Sequence, residues 1–187
     1  LLDNNIYGLT KMQTSPTTVR GQFSNTHPEG APLSPINPLS IMLGITNCSF
    51  VAQTVDWNPA HMMATIRRAY EHDGFAFVRI RQRCPHYMPN VWDALQKDPS
   101  RLLLLKHGDG VPTDDAIERT FTNRLEHDPA DYLRAHELAV RDDVVPIGLL
   151  YRNTHAERYD LYTQQGLEMS PAEKIAALDK QLDKFAV

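Results

Sequence analysis

Ser49-Phe50-Val51-Ala52-Gln53-Thr54 and Phe75-Ala76-Phe77-Val78-Arg79-Ile80-Arg81 are two short runs rich in Phe, Val and Ile. Side chains of this kind fit a pleated, packed surface, so both runs read as strands. Between them Asn58-Pro59 offers a helix N-cap followed by proline at the first helical position, and Asp73-Gly74 stops that helix after about His72. Working outward, Asn37-Pro38 repeats the cap-plus-proline signal ahead of Leu39, Ile41, Met42 and Leu43, and Leu1-Leu2 reads as the end of a buried strand. Strand, helix, strand, helix, strand predicts an α/β fold, a parallel sheet with crossover helices.

Two segments interrupt this alternation. Asp3 to Leu9 is a polar turn bearing Gly8, and Thr10 to Ser34 consists largely of Thr, Ser, Pro and Gly without either periodicity. An irregular stretch of that length inside a domain is either functional or disordered. After Cys84 the character changes. Arg101 to Lys106 is a strand or a helix end, His107-Gly108-Asp109-Gly110 is a turn, and residues 114–142 are charged and mixed. Ser170-Pro171-Ala172-Glu173 is a capping box that launches a helix to about Phe185. Its Ile175, Leu178, Leu182 and Phe185 recur at three- and four-residue spacing, so one face is expected to pack on something. The chain therefore divides into residues 1–90, part of the parallel-sheet domain, and 91–187, a helix-rich C-terminal extension.

Composition narrows the function classes. In 187 residues, 42% hydrophobic and 22% charged, there is material for one core plus an appendage. A net charge of −4 lacks the basic stripe that nucleic-acid binding requires. No apolar run reaches the ~20 residues of a membrane helix. Two Cys cannot build a disulfide framework, which points to a reducing, cytoplasmic setting. A strand ending at Leu2 leaves a sheet half built, so the chain is expected to be a fragment, or one part of a larger assembly.

Asp3-Asn4-Asn5-Ile6-Tyr7-Gly8-Leu9-Thr10-Lys11-Met12-Gln13-Thr14-Ser15-Pro16-Thr17 resembles the thiamine-diphosphate loop of the 2-oxoacid:ferredoxin oxidoreductase β subunit. The resemblance continues through Pro35-Ile36-Asn37-Pro38-Leu39, Phe50-Val51-Ala52 and Gly74-Phe75-Ala76-Phe77-Val78 to Cys84. It implies the C-terminal half of a thiamine-diphosphate-binding domain. Mg²⁺ prefers about six hard oxygens, and by resemblance Asn4 supplies a side-chain oxygen and Ile6 a carbonyl, with Tyr7, Gly8, Leu9 and Thr10 lining the cofactor. Leu9 would sit near the reactive thiazolium carbon, as in relatives that take larger 2-oxoacids. Lys11 could pair with the distal carboxylate of 2-oxoglutarate, while Met12 stands where the family commonly has Gly.

Cys84, in Gln82-Arg83-Cys84-Pro85, falls where the family places one of four thiolates on a [4Fe–4S] cluster. The family's other three Cys and its Gly-Asp-Gly Mg²⁺ motif normally precede the thiamine loop. Gly108-Asp109-Gly110 follows that loop and reads as a plain turn. The implied reaction is oxidative decarboxylation of a 2-oxoacid, 2-oxoglutarate favoured, with coenzyme A and ferredoxin, or its CO₂-fixing reverse, in complex with an α subunit. A thiamine-dependent decarboxylase or synthase without a cluster, and a non-catalytic interaction chain of the same fold, remain open. Cys48 reads as core, His136-Glu137 lacks the second His of a zinc peptidase, and Arg67-Arg68 with Arg79-Arg81-Arg83 reads foremost as a solvated basic face.

Overall fold

The computed structural model describes residues 1–164 and 169–185. Contacts divide the chain into two units, Leu1–Ala156 and Glu157–Val187. The first unit holds a six-stranded sheet in the order β1-β3-β2-β6-β4-β5. Its N-terminal strands are β1 (Leu2–Asp3), β2 (Cys48–Val55) and β3 (Phe75–Arg81), and they run parallel. The helices α1 (Pro38–Leu43) and α2 (Pro59–Tyr70) cross between them. Both caps form as the sequence predicts: Asn37 Oδ1 accepts from Leu39 N at 3.1 Å, and Asn58 Oδ1 accepts from His61 N at 3.0 Å.

The C-terminal half contributes more strands than its composition predicts. β4 (Leu102–Lys106) resolves the ambiguous apolar run as a strand. The charged 114–142 stretch holds α4 (Asp115–Thr120), β5 (Asn123–Glu126) and α5 (Tyr132–Ala139), after the short α3 (Asp93–Lys97). Val145–Arg152 forms β6, a strand without a clear sequence signal because Pro146 and Gly148 interrupt it. β6 is parallel to β4 but antiparallel to β2, so two parallel three-stranded halves meet at one antiparallel seam. A register shift at Val51/Ala52 accommodates the seam. The sheet thus continues without a break through the region after residue 90.

Side-chain alternation feeds both faces. Val51, Leu103, Leu105 and Leu150 pack with Leu39 and Leu43 of α1 and Ala135 and Leu138 of α5. Val55, Leu102, Leu104 and Ile147 pack with Trp92, Leu95, Ile117 and Phe121. All eight residues of β2 are buried, as expected of a central strand covered on both sides.

One expectation is corrected: Leu1 and Leu2 are not buried, because β1 is the edge strand, and the two are 54% and 63% exposed. The 10–34 segment folds back onto the N-terminal turn, Thr17 bonding Asp3 and Thr18 bonding Asn5. In the second unit α6 (Tyr159–Gln164) is followed by α7 (Pro171–Leu182), whose Ile175, Leu178 and Leu182 are exposed, as is Phe185 just beyond it. The Ser170–Glu173 capping box itself is complete, with Ser170 N donating to Glu173 Oε2 at 2.7 Å and Glu173 N to Ser170 Oγ at 3.3 Å. Among the described residues no helix is long and apolar enough to cross a membrane.

Candidate functional site

The turn after β1 is built around a buried carboxylate. Asp3, 2% exposed, receives the Arg79 guanidinium from β3, with Nε 2.8 Å from Oδ2. Its Oδ1 accepts from Thr17 Oγ1 at 2.7 Å and from Asn5 N at 3.2 Å. One side chain therefore ties together the edge strand, its neighbour and the long loop. Thr18 Oγ1 adds a bond to Asn5 O. The Arg79 part of the expected solvated basic face is thus an interior ion pair. Sequence could not have shown this, because Asp3 and Arg79 are brought opposite one another only by the β1–β3 pairing.

Asn4 Oδ1 accepts from Ile6 N at 3.2 Å, an Asx-turn made possible by Asn5 at φ +59°. That amide oxygen keeps a second lone pair. Ile6 is 2% exposed, and among the described residues no group donates to its carbonyl. Two oxygen donors of the hard type that Mg²⁺ prefers thus lie two residues apart on one turn.

From Tyr7 to Gln13 the backbone closes on itself: Tyr7 N donates to Gln13 O at 2.9 Å and Gln13 N to Tyr7 O at 3.3 Å. Gly8, Leu9, Thr10 and Lys11 form the tip of this loop, with Leu9 99% exposed and the Lys11 side chain also exposed. Lys11 and Met12 both have φ +69°, a left-handed conformation that favours glycine, so each adopts it at some cost in strain. Asn25 holds the arrangement, its Nδ2 donating to Lys11 O at 2.6 Å and its N to Met12 O at 2.8 Å. The Thr/Ser-rich loop, expected to be either functional or disordered, is therefore the scaffold of the tip.

Cys84 lies against this turn. A Cβ built on Gly8 would stand 3.1 Å from Cys84 Sγ, with Asn4 Nδ2 at 4.0 Å, so a side chain at position 8 would push the thiol back by a few tenths of an ångström. Cys84 is partly exposed and closes a tight loop in which Met88 N donates to Cys84 O at 2.9 Å. Cys48 lies in the core, 3% exposed, and burial pushes its thiol pKa up. Gly108-Asp109-Gly110 is a turn whose carbonyls accept from Arg68 and whose Asp109 pairs with Arg152 at 3.6 Å. Arg67 pairs with Glu71 on the surface of α2. Among the described residues there is no group of three or more His, Cys, Asp and Glu placed to hold a metal.

Known proteins resemble this chain along most of its length. Residues 1–80 match the family "Thiamine pyrophosphate enzyme, C-terminal TPP binding domain". Residues 118–165 match the family formed by the C-terminal region of the pyruvate ferredoxin oxidoreductase beta subunit. A 2-oxoglutarate oxidoreductase subunit KorB of Mycobacterium tuberculosis is 36% identical over 113 residues, 59% of this chain and 30% of that one. A 2-oxoacid:ferredoxin oxidoreductase subunit beta of a Sulfolobus species is 27% identical over 97% of this chain and 58% of its own length. A solved 2-oxoglutarate:ferredoxin oxidoreductase of Magnetococcus marinus, with 2-oxoglutarate, coenzyme A and succinyl-CoA bound, superposes with a TM-score of 0.68 at 31% identity. The match covers 95% of this chain and 56% of that one. The chain is thus similar along its length to the β subunits of 2-oxoacid:ferredoxin oxidoreductases, and over residues 1–80 to the thiamine pyrophosphate-binding domain of thiamine enzymes; it spans between about a third and three-fifths of the length of these relatives.

Proposed function

We propose that the chain is the C-terminal part of a β subunit that, with an α subunit, carries out oxidative decarboxylation of a 2-oxoacid to an acyl-CoA, CO₂ and reduced ferredoxin, or the reverse, with 2-oxoglutarate as substrate. The observation that carries this reading is the packing of the Cys84 thiol against Gly8 of the thiamine-type loop, which brings a cluster-type ligand beside a cofactor-type turn.

When bound, thiamine diphosphate supplies the nucleophilic carbon that lets a 2-oxoacid lose CO₂, and a [4Fe–4S] cluster accepts the electrons singly. The chain's own residues hold and orient. Asn4 and Ile6 offer two oxygens to the Mg²⁺ that accompanies the diphosphate, and the Asp3–Arg79 pair keeps that turn in place. Tyr7, Gly8 and Thr10 would line the cofactor when it is bound, while Leu9 presents an apolar side chain at the loop tip. Lys11 holds a positive charge two residues further on, suited to the distal carboxylate of a dicarboxylic 2-oxoacid. Cys84 contributes one thiolate of the four a cluster takes, the others coming from outside these 187 residues. The KorB names of the relatives support the choice of 2-oxoglutarate.

The test is Cys84→Ala in the complete assembly. Iron content and the cluster's visible absorption should fall, and ferredoxin reduction should disappear while the decarboxylation half-reaction persists. Iron and absorption at wild-type levels would make Cys84 a packing residue and remove the central support for the reading.

A further inference from the structure

The C-terminal helix carries a pattern that the thiamine-type turn and Cys84 do not use. Ile175, Leu178 and Leu182 of α7, with Phe185 in the short 3₁₀ turn that follows it, are between 57% and 80% exposed. They recur at spacings of three, four and three residues, the a/d repeat of a coiled coil, with Ile175 and Leu182 at a and Leu178 and Phe185 at d. The opposite side of the helix carries Glu173, Lys180 and Lys184. A continuous apolar row in water gains free energy from being covered.

The residues that flank the row point to its occupant. Lys174 falls at position g and Asp179 at position e. They lie five residues apart on opposite flanks of the row, so they do not meet within one helix. Neither has an ion-pair partner among the described residues. In a parallel pair of helices, g of one faces the next e of the other, so Lys174 meets Asp179 of a second copy, twice by symmetry. In an antiparallel pair e faces e, and Asp179 would meet its own copy. Ile at a with Leu at d, as in the first heptad, is also the combination that favours two parallel strands. The Ser170–Glu173 capping box fixes the start of the helix, and with it the register, at the same point in each copy.

We propose that α7 is a dimerisation element, through which two copies of this chain pair as a short parallel coiled coil. The complete assembly then holds two β subunits joined at their C-terminal helices. Two heptads make a small contact, so the pairing adds to the contacts each copy makes with its α subunit and does not replace them. It is independent of the cofactor reading, since no residue of the thiamine-type turn takes part.

Anaerobic cross-linking in the complete assembly tests this. Ile175→Cys places a thiol at the first a position, and a short bismaleimide should join two copies through position 175, located by peptide mass spectrometry. The parent chain should give no link at that peptide. Antiparallel helices would hold the two 175 positions about 15 Å apart, beyond the reach of the reagent. Charge reversal supplies the second arm, in the Ile175→Cys background at low ionic strength. Lys174→Glu or Asp179→Lys alone should slow the linkage about threefold or more, and the two together should restore it. No linkage, linkage of position 175 to the α subunit, or equal rates in the single and double reversals would overturn the proposal.

Discussion

Lys11 stands at the tip of the Tyr7–Gln13 loop with no ion-pair partner among the described residues and with its backbone held left-handed by Asn25. A second substrate carboxylate entering a partly desolvated cleft needs a fixed cation, since an unpaired buried charge costs several kcal/mol. Lys11→Met is expected to lower kcat/KM for 2-oxoglutarate by roughly 2–3 kcal/mol while sparing pyruvate and 2-oxobutyrate. Steady-state kinetics at fixed ionic strength check this, and equal losses on all three substrates would assign Lys11 to the loop instead. Asn4 carries a separate expectation. Asn4→Ala removes both the oxygen offered to Mg²⁺ and the bond to Ile6 N, so thiamine-diphosphate affinity should fall ~10-fold or more, about 1.4 kcal/mol. Calorimetric titration with Mg²⁺ present measures it, and unchanged affinity would exclude Asn4 as a ligand.

At the scale of the element, β6 rests on one glycine. Gly148 has φ +120°, and a Cβ there would meet Leu105 O of β4 at 3.1 Å. A side chain is therefore opposed both by its own backbone and by the adjacent strand. Gly148→Ala should destabilise the fold by about 2–3 kcal/mol. Gly108→Ala, in a turn where nothing lies within 4 Å, should cost under about 0.5 kcal/mol. Urea unfolding of the two variants makes the comparison, and equal midpoints would show that β6 tolerates a side chain at the seam. The same glycine, with Pro146, is why β6 was not legible as a strand. Pro146 lacks the N–H of a ladder donor, and its carbonyl accepts from the buried Gln53 side chain at 2.7 Å. β2, β3 and both N-capped helices were legible because each carries its own local signal.

At the scale of the molecule, α2 is fastened to the sheet through His61, which is fully buried between Thr54 and Phe121. Burial lowers its pKa to about 4, so the folded protein keeps it neutral. The unfolded chain binds a proton below about pH 6.5 and the folded one does not, so stability conferred by neutral His61 is complete above 6.5 and is lost as pH falls toward 4. The loss attributable to this residue should reach about 3 kcal/mol by pH 4. His61→Leu should flatten that part of the curve, measured as the difference between variant and parent in urea unfolding at pH 7 and pH 4.5. Parallel curves would mean that His61 becomes protonated within the folded protein.

Local spacing and backbone preference carried the turn after β1, the caps of α1, α2 and α7, and the parallel sheet with crossover helices, while Asn4, Ile6, Leu9, Lys11 and Cys84 were singled out by the resemblance of their motifs to a known family. Only tertiary structure brought Asp3 opposite Arg79, set Cys84 against Gly8 and joined the two parallel halves at the antiparallel β2–β6 seam. These pairs join residues 76 to 102 positions apart, and no local signal links them. Burial converts them into ion pairs and close approaches, and burial is a property of the packed sheet rather than of any segment within it.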